Sequence, residues 1–300
     1  MATLTQTPTF TPDSRSLQGS LLIRRIGKAI LWITPVFSYL FLWAPILLLI
    51  LFSFNAGRGT FAWRGFTTQW YSNIFSGTLG AEARFSTELM LNALSNSLIV
   101  GVTSTLIATV IGTMVAISMT RGKFPGKRIL DGLLFLPVVI PEITQGVSLA
   151  IFFRVIFEFI ESITGARILP GVGTIIIGHV VFNVAFVAII VRARMSNMNP
   201  RLEEAAGDLG ATPWQTFYRV TLPLIMPGVI AGALLAFTLS LDDFVVTFFN
   251  KGVGSDTLPI FVYGMLKTSV TPEVNALSTL MLIFSTVLVG FSLFLQNRKD

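Results

Sequence analysis

The chain has 300 residues, of which 53% are hydrophobic and only 12% charged, with a formal net charge of +6 and a mean hydropathy of +0.76. A soluble domain of this length carries about 25% charged residues, so half that value, with apolar runs of about twenty residues, reads as an integral membrane protein without a large soluble domain. The absence of cysteine excludes disulfides, thiol catalysis and Cys-based metal sites, and the single His179 cannot build a histidine cluster.

Residues 1–28 read as a disordered or amphipathic N-terminal tail and residues 29–300 as a six-helix transmembrane domain. Up to about residue 20 the tail is rich in Thr, Ser, Pro and Gln and is expected to be disordered. The first apolar segment is too long for a signal-peptide core and lacks a clear small-residue cleavage site, so it is expected to be a retained span. Six segments are long enough to cross about 30 Å of hydrocarbon as α-helices. They are Ile33–Phe54, Ala93–Met119, Ile129–Phe157, Gly173–Val191, Leu224–Phe249 and Ala276–Leu295. The third contains Pro137 and Pro141, which remove helical donors, so it is expected to be kinked or broken where protein or a cavity covers it. Between the first two spans, a short amphipathic helix is expected around Trp70–Phe75. The fold class is therefore all-α and integral to the membrane.

Lys and Arg concentrate on one side of these spans. That side takes the tail (Arg15, Arg24, Arg25, Lys28), the second-to-third loop (Arg121 to Arg128), the fourth-to-fifth loop (Arg192 to Arg219) and the C-terminus. The positive-inside rule then places both termini in the cytoplasm. The basic charges serve topology rather than a nucleic-acid surface.

The cytoplasmic fourth-to-fifth loop, residues 199–222, carries Glu204-Ala205-Ala206, three residues, Gly210, nine residues, Val220, one residue, then Leu222-Pro223. Asn199-Pro200 starts a helix with proline near its first turn. Leu202, Ala205, Ala206 and Leu209 follow at helical spacing, and the two alanines let another surface approach the backbone closely. Gly210 can end the helix in the left-handed region. Thr212-Pro213 can cap and start a second helix leading to Pro223. Glu203, Glu204, Ala205, Ala206, Gly210 and Pro223 are the residues assigned to docking. No G-x-x-x-x-G-K-[ST] run occurs anywhere in the chain, so it is not expected to bind and hydrolyse ATP in the usual way.

Charged groups inside spans cost roughly 2.5–3.5 kcal/mol for Asp and point to function by default. Glu142 follows Pro141 in the broken span, and Asp242 and Asp243 lie in the fifth. Carboxylates lining a path suit a cation, which they can bind through charge-assisted hydrogen bonds. Phe248 and Tyr263 can add cation–π attraction. Each has a structural alternative: Asp242 or Asp243 can cap a helix break, and the aromatics can simply pack. Arg154 is expected to pair with Glu158, and His179 to be a hydrogen-bonded packing residue.

The loop motif resembles the cytoplasmic signature of bacterial ABC importer permeases. The run Ser240-Leu241-Asp242-Asp243-Phe244 with Val245 to Phe249, then Thr257-Leu258-Pro259, Tyr263-Gly264-Met265 and Ser269-Val270-Thr271-Pro272-Glu273, is similar to spermidine/putrescine permeases of the second, C- or I-type, subunit. The resemblance covers nearly all the chain after residue 90. It implies a type I importer permease fold of six transmembrane helices with a cytoplasmic coupling helix. It also implies polyamine import by alternating access and Glu142 as a cation contact. The implied partners are an ABC ATPase dimer that binds ATP and Mg, a second permease in a heterodimer, an extracytoplasmic polyamine-binding protein and membrane lipid. This chain itself is expected to hold no cofactor or metal and to bind no nucleic acid. An importer for another cationic or opine-like solute, or an ion-coupled secondary transporter using the three acids as a relay, is the competing expectation.

Overall fold

The computed structural model describes residues 14–57, 62–76, 87–268 and 272–297. The chain divides after Phe52 into two compact units. The first contains helix α1 (Ser14–Phe52), whose apolar stretch Leu31–Phe52 is long enough to span a bilayer. Residues 14–20, expected to be disordered, belong to this helix. Once a span is nucleated, each added residue gains a hydrogen bond, and Arg15, Leu17 and Leu21 are good helix formers. Residues 1–13 lie outside the described residues.

The second unit begins with a small fold between the first two apolar stretches. Asn55 and Phe66 form an isolated antiparallel bridge, reinforced by Ala56 N–H to Gly65 O at 2.9 Å and Thr67 N–H to Phe54 O at 2.8 Å. Helix α2 (Gln69–Ser76) follows where the amphipathic helix was expected. Its Trp70 is not free to meet a solute: the indole N–H donates to Asn55 O at 2.7 Å. Ile74 packs into a cluster with Met90, Ala93, Phe261, Val274 and Leu277.

The remaining helices are α3 (Thr87–Arg121), α4 (Lys127–Val139), α5 (Glu142–Thr164), α6 (Val172–Ser196), α7 (Arg201–Asp208) and α8 (Pro213–Thr216). After a π-turn (Phe217–Thr221) come α9 (Leu222–Asp242), α10 (Val245–Asn250), α11 (Leu258–Thr268) and α12 (Pro272–Asn297). Among the described residues six helical stretches are long and apolar enough to cross a membrane: those of α1, α3, α5, α6, the run Pro213–Asp242, and α12. The protein is a multi-pass membrane protein.

Helices α3, α6 and α9 pack closely at the centre, and small residues let them do so. A Cβ on Gly112 of α3 would come 2.8 Å from Val187 Cβ of α6, and one on Gly232 of α9 would come 3.3 Å from Val187 Cα. Val187, Ala188, Val191, Met195, Ile225 and Ala236 form the core there. Asp131 of α4 pairs with Arg192 of α6.

Two expected spans are interrupted, the third as expected and the fifth against expectation. The third is broken between α4 and α5, with Ile140 at φ −69, ψ 132 and Pro141 at φ −55, ψ 135. The fifth, drawn as continuous to Phe249, stops at Asp242. Asp243 is extended at φ −64, ψ 126, and α10 starts afresh. No proline or glycine marks that second break. Its cause is Asp243, whose carboxylate accepts the amide hydrogens of Val246 at 3.3 Å and Thr247 at 2.8 Å, in the manner of a helix cap.

Candidate functional site

Three constellations contain the residues singled out from the sequence. The first is the loop between α6 and α9. Asn199 Oδ1 accepts the Arg201 amide hydrogen at 3.1 Å, and Pro200 precedes α7. Helix α7 ends through Ala211 N–H to Ala206 O at 3.0 Å, with Gly210 at φ 82, a left-handed conformation that glycine adopts without steric cost. Thr212 and Gln215 then cap α8 reciprocally, Gln215 N–H to Thr212 Oγ1 at 3.3 Å and Thr212 N–H to Gln215 Oε1 at 2.9 Å. Leu222 N–H bonds to Phe217 O, five residues back, which widens the helix into the π-turn. This turn ends just before Pro223, whose ring would crowd the Arg219 carbonyl in a regular α-helix.

The loop presents an apolar surface. Leu209 is 89% exposed and Trp214 71% exposed, with Leu202 and Tyr218 also outside. Glu204, Ala205 and Pro223 are exposed, and Ala206 is half-buried. Glu203 faces the other way. Its Oε2 lies 2.9 Å from Arg121 Nε at the end of α3, and its Oε1 accepts the Thr221 hydroxyl hydrogen at 2.8 Å. A cleft of about 390 Å³ lies beside it, lined by Ile117, Gly207, Pro213 and Phe217 among others.

The second constellation surrounds the α9–α10 break. His179 of α6 is completely buried; its Nδ1 lies 3.1 Å from Ser240 Oγ, and its Nε2 lies 3.2 Å from Asp243 Oδ2 and 3.0 Å from Thr247 Oγ1. Thr247 Oγ1 also donates to Asp243 Oδ2 at 2.8 Å. Ser240 reaches Ser104 Oγ of α3 at 2.9 Å and accepts from Asn183 Nδ2 at 3.0 Å. One network thus ties α3, α6, α9 and α10 together. A ring carrying its proton on Nε2 and accepting at Nδ1 from Ser240 satisfies both sides. The sequence carried a signal for it in retrospect: His179 and Asn183 stand one helical turn apart, as do Ser240, Asp243 and Thr247 across the break. Asp242, the neighbour, is exposed and accepts from Ser285 Oγ of α12 at 3.0 Å. The two aspartates therefore have separate surroundings.

The third is aromatic. Phe244 stacks on Phe248 with centroids 5.5 Å apart and tilts against Tyr263 at 4.8 Å. Phe248 and Tyr263 are each nearly half exposed. Glu142, the first residue of α5, is exposed and has no hydrogen-bond or ion-pair partner among the described residues. One turn further along α5, Gly146 meets α10; a Cβ there would sit 2.9 Å from Phe249 Cδ2, and Asn250 Nδ2 donates to Gly146 O at 3.2 Å. Arg154 pairs with Glu158 at 2.8 Å on the same helix. Among the described residues no three His, Asp or Glu side chains converge as a metal-ligand set.

Residues 108–298 match a family model described as binding-protein-dependent transport system inner membrane component. The chain is 36% identical over 268 residues to the spermidine/putrescine transport system permease protein PotC of Escherichia coli strain K12, covering 89% of this chain and 93% of that protein. It is 37% identical over 265 residues to the putrescine transport system permease protein PotI of the same strain, covering 88% and 89% respectively. Its fold is similar to a chain of a bacterial ABC transporter involved in the import of the acidic polysaccharide alginate. The TM-score is 0.72 at 18% identity, with 95% of this chain and 99% of that chain covered.

Proposed function

The chain belongs to the family of binding-protein-dependent transport system inner membrane components, and we propose that it is the permease subunit through which an ATP-driven importer admits polyamines such as putrescine and spermidine. As a permease it moves its solute without transforming it, and is not an enzyme. The observation that carries the reading is the α7–α8 hairpin. Two spanning helices are joined by a short capped helix whose outer face is apolar, with Leu209 and Trp214 largely exposed. Such a face on a charged loop is a docking surface for a partner protein.

The occupant of that surface is an ABC ATPase, one copy on this chain and one on a second permease. Residues 29–300 are the transmembrane domain, residues 1–28 its cytoplasmic tail, and the ATPase holds the ATP and Mg. Both termini and the hairpin lie in the cytoplasm, in keeping with the excess of Lys and Arg on that side. A soluble binding protein delivers substrate from outside. ATP-driven approach of the two docking helices swings the spans between inward-open and outward-open forms as rigid bodies.

The substrate class rests on relatives named for spermidine and putrescine over nearly their full length and on chemistry that fits a cation. Glu142 offers an unpaired carboxylate beside a helix break, and Phe248 and Tyr263 offer partly exposed ring faces. Asp243 is fully engaged with His179 and Thr247 and serves to shape the break; Asp242 keeps an exposed carboxylate. The test is ATP hydrolysis by the complex that copurifies with this chain, in nanodiscs with its binding protein. A rate that rises with putrescine or spermidine supports the reading. A copurified ATPase indifferent to amines removes the substrate class, and no copurified ATPase removes the docking role.

A further inference from the structure

Within the hairpin, two adjacent glutamates point in opposite directions. Glu204 is exposed, while Glu203 holds Arg121 at 2.9 Å and the Thr221 hydroxyl at 2.8 Å. These partners belong to different parts of the bundle. Arg121 is the last residue of α3, where the partial negative charge of the helix C-terminus favours a cation. Thr221 closes the π-turn that feeds α9 and is itself buried. Helix α7 packs mainly against α8 and the π-turn, and a cleft of about 390 Å³ is lined by Gly207 of α7 and Ile117 of α3. A polar link from α7 to α3 passes through the Glu203 carboxylate.

From this geometry we infer that Glu203 is a positioning residue that transmits displacement of the docking helix to α3 and α9 together. The inference rests on the docking role of the hairpin. A partner that pulls on the exposed face of α7 moves the Glu203 carboxylate. One oxygen carries the load to α3 through Arg121 and the other to α9 through Thr221. The π-turn is the compliant element between them, since its hydrogen bonds are wider than those of a regular helix. The pair is half-buried, its side chains 29% and 22% exposed, and Glu203→Gln keeps a polar group of the same shape between Arg121 and Thr221, so the variant is expected to leave a folded, docked permease whose motor slips.

The experiment uses the assembled transporter in proteoliposomes, with wild type, Glu203→Gln, Arg121→Gln and the exchange Arg121→Glu with Glu203→Arg. Three quantities are read: ATPase recovered with the permease, ATP hydrolysed, and amine imported. In both single variants ATPase recovery equals wild type, while ATP hydrolysed per amine imported rises about tenfold, the effect of losing one bond to a charged group. The exchange variant restores the ratio to within about threefold of wild type, because the ion pair re-forms with reversed sign. Loss of the ATPase from Glu203→Gln contradicts the inference by making Glu203 a docking residue. An unchanged ratio in both single variants also contradicts it, by making the pair idle. If wild type recovers no ATPase, the docking role falls and the inference falls with it, a result distinct from either of the others.

Discussion

Gln145 donates its side-chain amide to the carbonyl of Pro137, the acceptor that a regular helix would have paired with the amide of residue 141. Proline at 141 has no N–H, so the break between α4 and α5 leaves that carbonyl orphaned in a nonpolar setting. The same amide also reaches Ile140 O at 3.2 Å. The break that exposes Glu142 is thus kept closed on its backbone side by one glutamine. Gln145→Leu removes the donor and leaves two carbonyls unsatisfied. It is expected to destabilise the protein by about 1–3 kcal/mol, read as a lowered thermal transition in detergent, whereas Gln145→Asn keeps part of the effect.

The two adjacent aspartates are expected to respond differently. Asp243→Ala removes the acceptor for two amide hydrogens, the Thr247 hydroxyl and His179, and leaves a buried ring without its partner. Loss of that network is expected to cost about 3 kcal/mol or more. Asp242→Ala removes one exposed bond from Ser285 and should stay within about 0.5 kcal/mol. Thermal unfolding of both variants checks the difference; equal losses would contradict the structural role of Asp243.

On the docking face, Leu209→Asp and Trp214→Ala are expected to reduce ATPase recovery by about tenfold or more, since large exposed apolar anchors dominate such interfaces. Both side chains point away from the bundle, so the amount of permease in the membrane should not change. Copurification at matched permease levels measures this.

Glu142→Gln keeps the shape of the side chain and removes its charge. Assembly and basal ATP hydrolysis should persist, while the KM for amine uptake rises about tenfold, the value of one charge-assisted bond. Unchanged uptake kinetics would take Glu142 out of the pathway.

Much of this was legible in the sequence, because hydropathy and proline act locally. The six apolar stretches, the break at Pro141 and the turn at Gly210 follow from composition and backbone chemistry within a few residues. The break at Asp243 is not legible in the sequence, because nothing local forces it. The polypeptide there could continue as helix, and the alternative is stabilised by a side chain capping its own backbone and by His179, 64 positions away. The opposite orientations of Glu203 and Glu204 were equally hidden. Both sit in the first turn of α7, and the distant Arg121 and Thr221 distinguish them. Residues 14–20 are polar in composition, and their helical state follows from the span that continues from them.

The most direct test of the account is uptake of labelled putrescine or spermidine into proteoliposomes containing this permease, its partner permease, the ATPase and the amine-loaded binding protein, with ATP on the side of the α7–α8 hairpin. Uptake is expected to require both ATP and the binding protein and to be abolished by Leu209→Asp. Amine uptake that proceeds without ATP and follows an imposed proton gradient would contradict this and make the chain a secondary transporter.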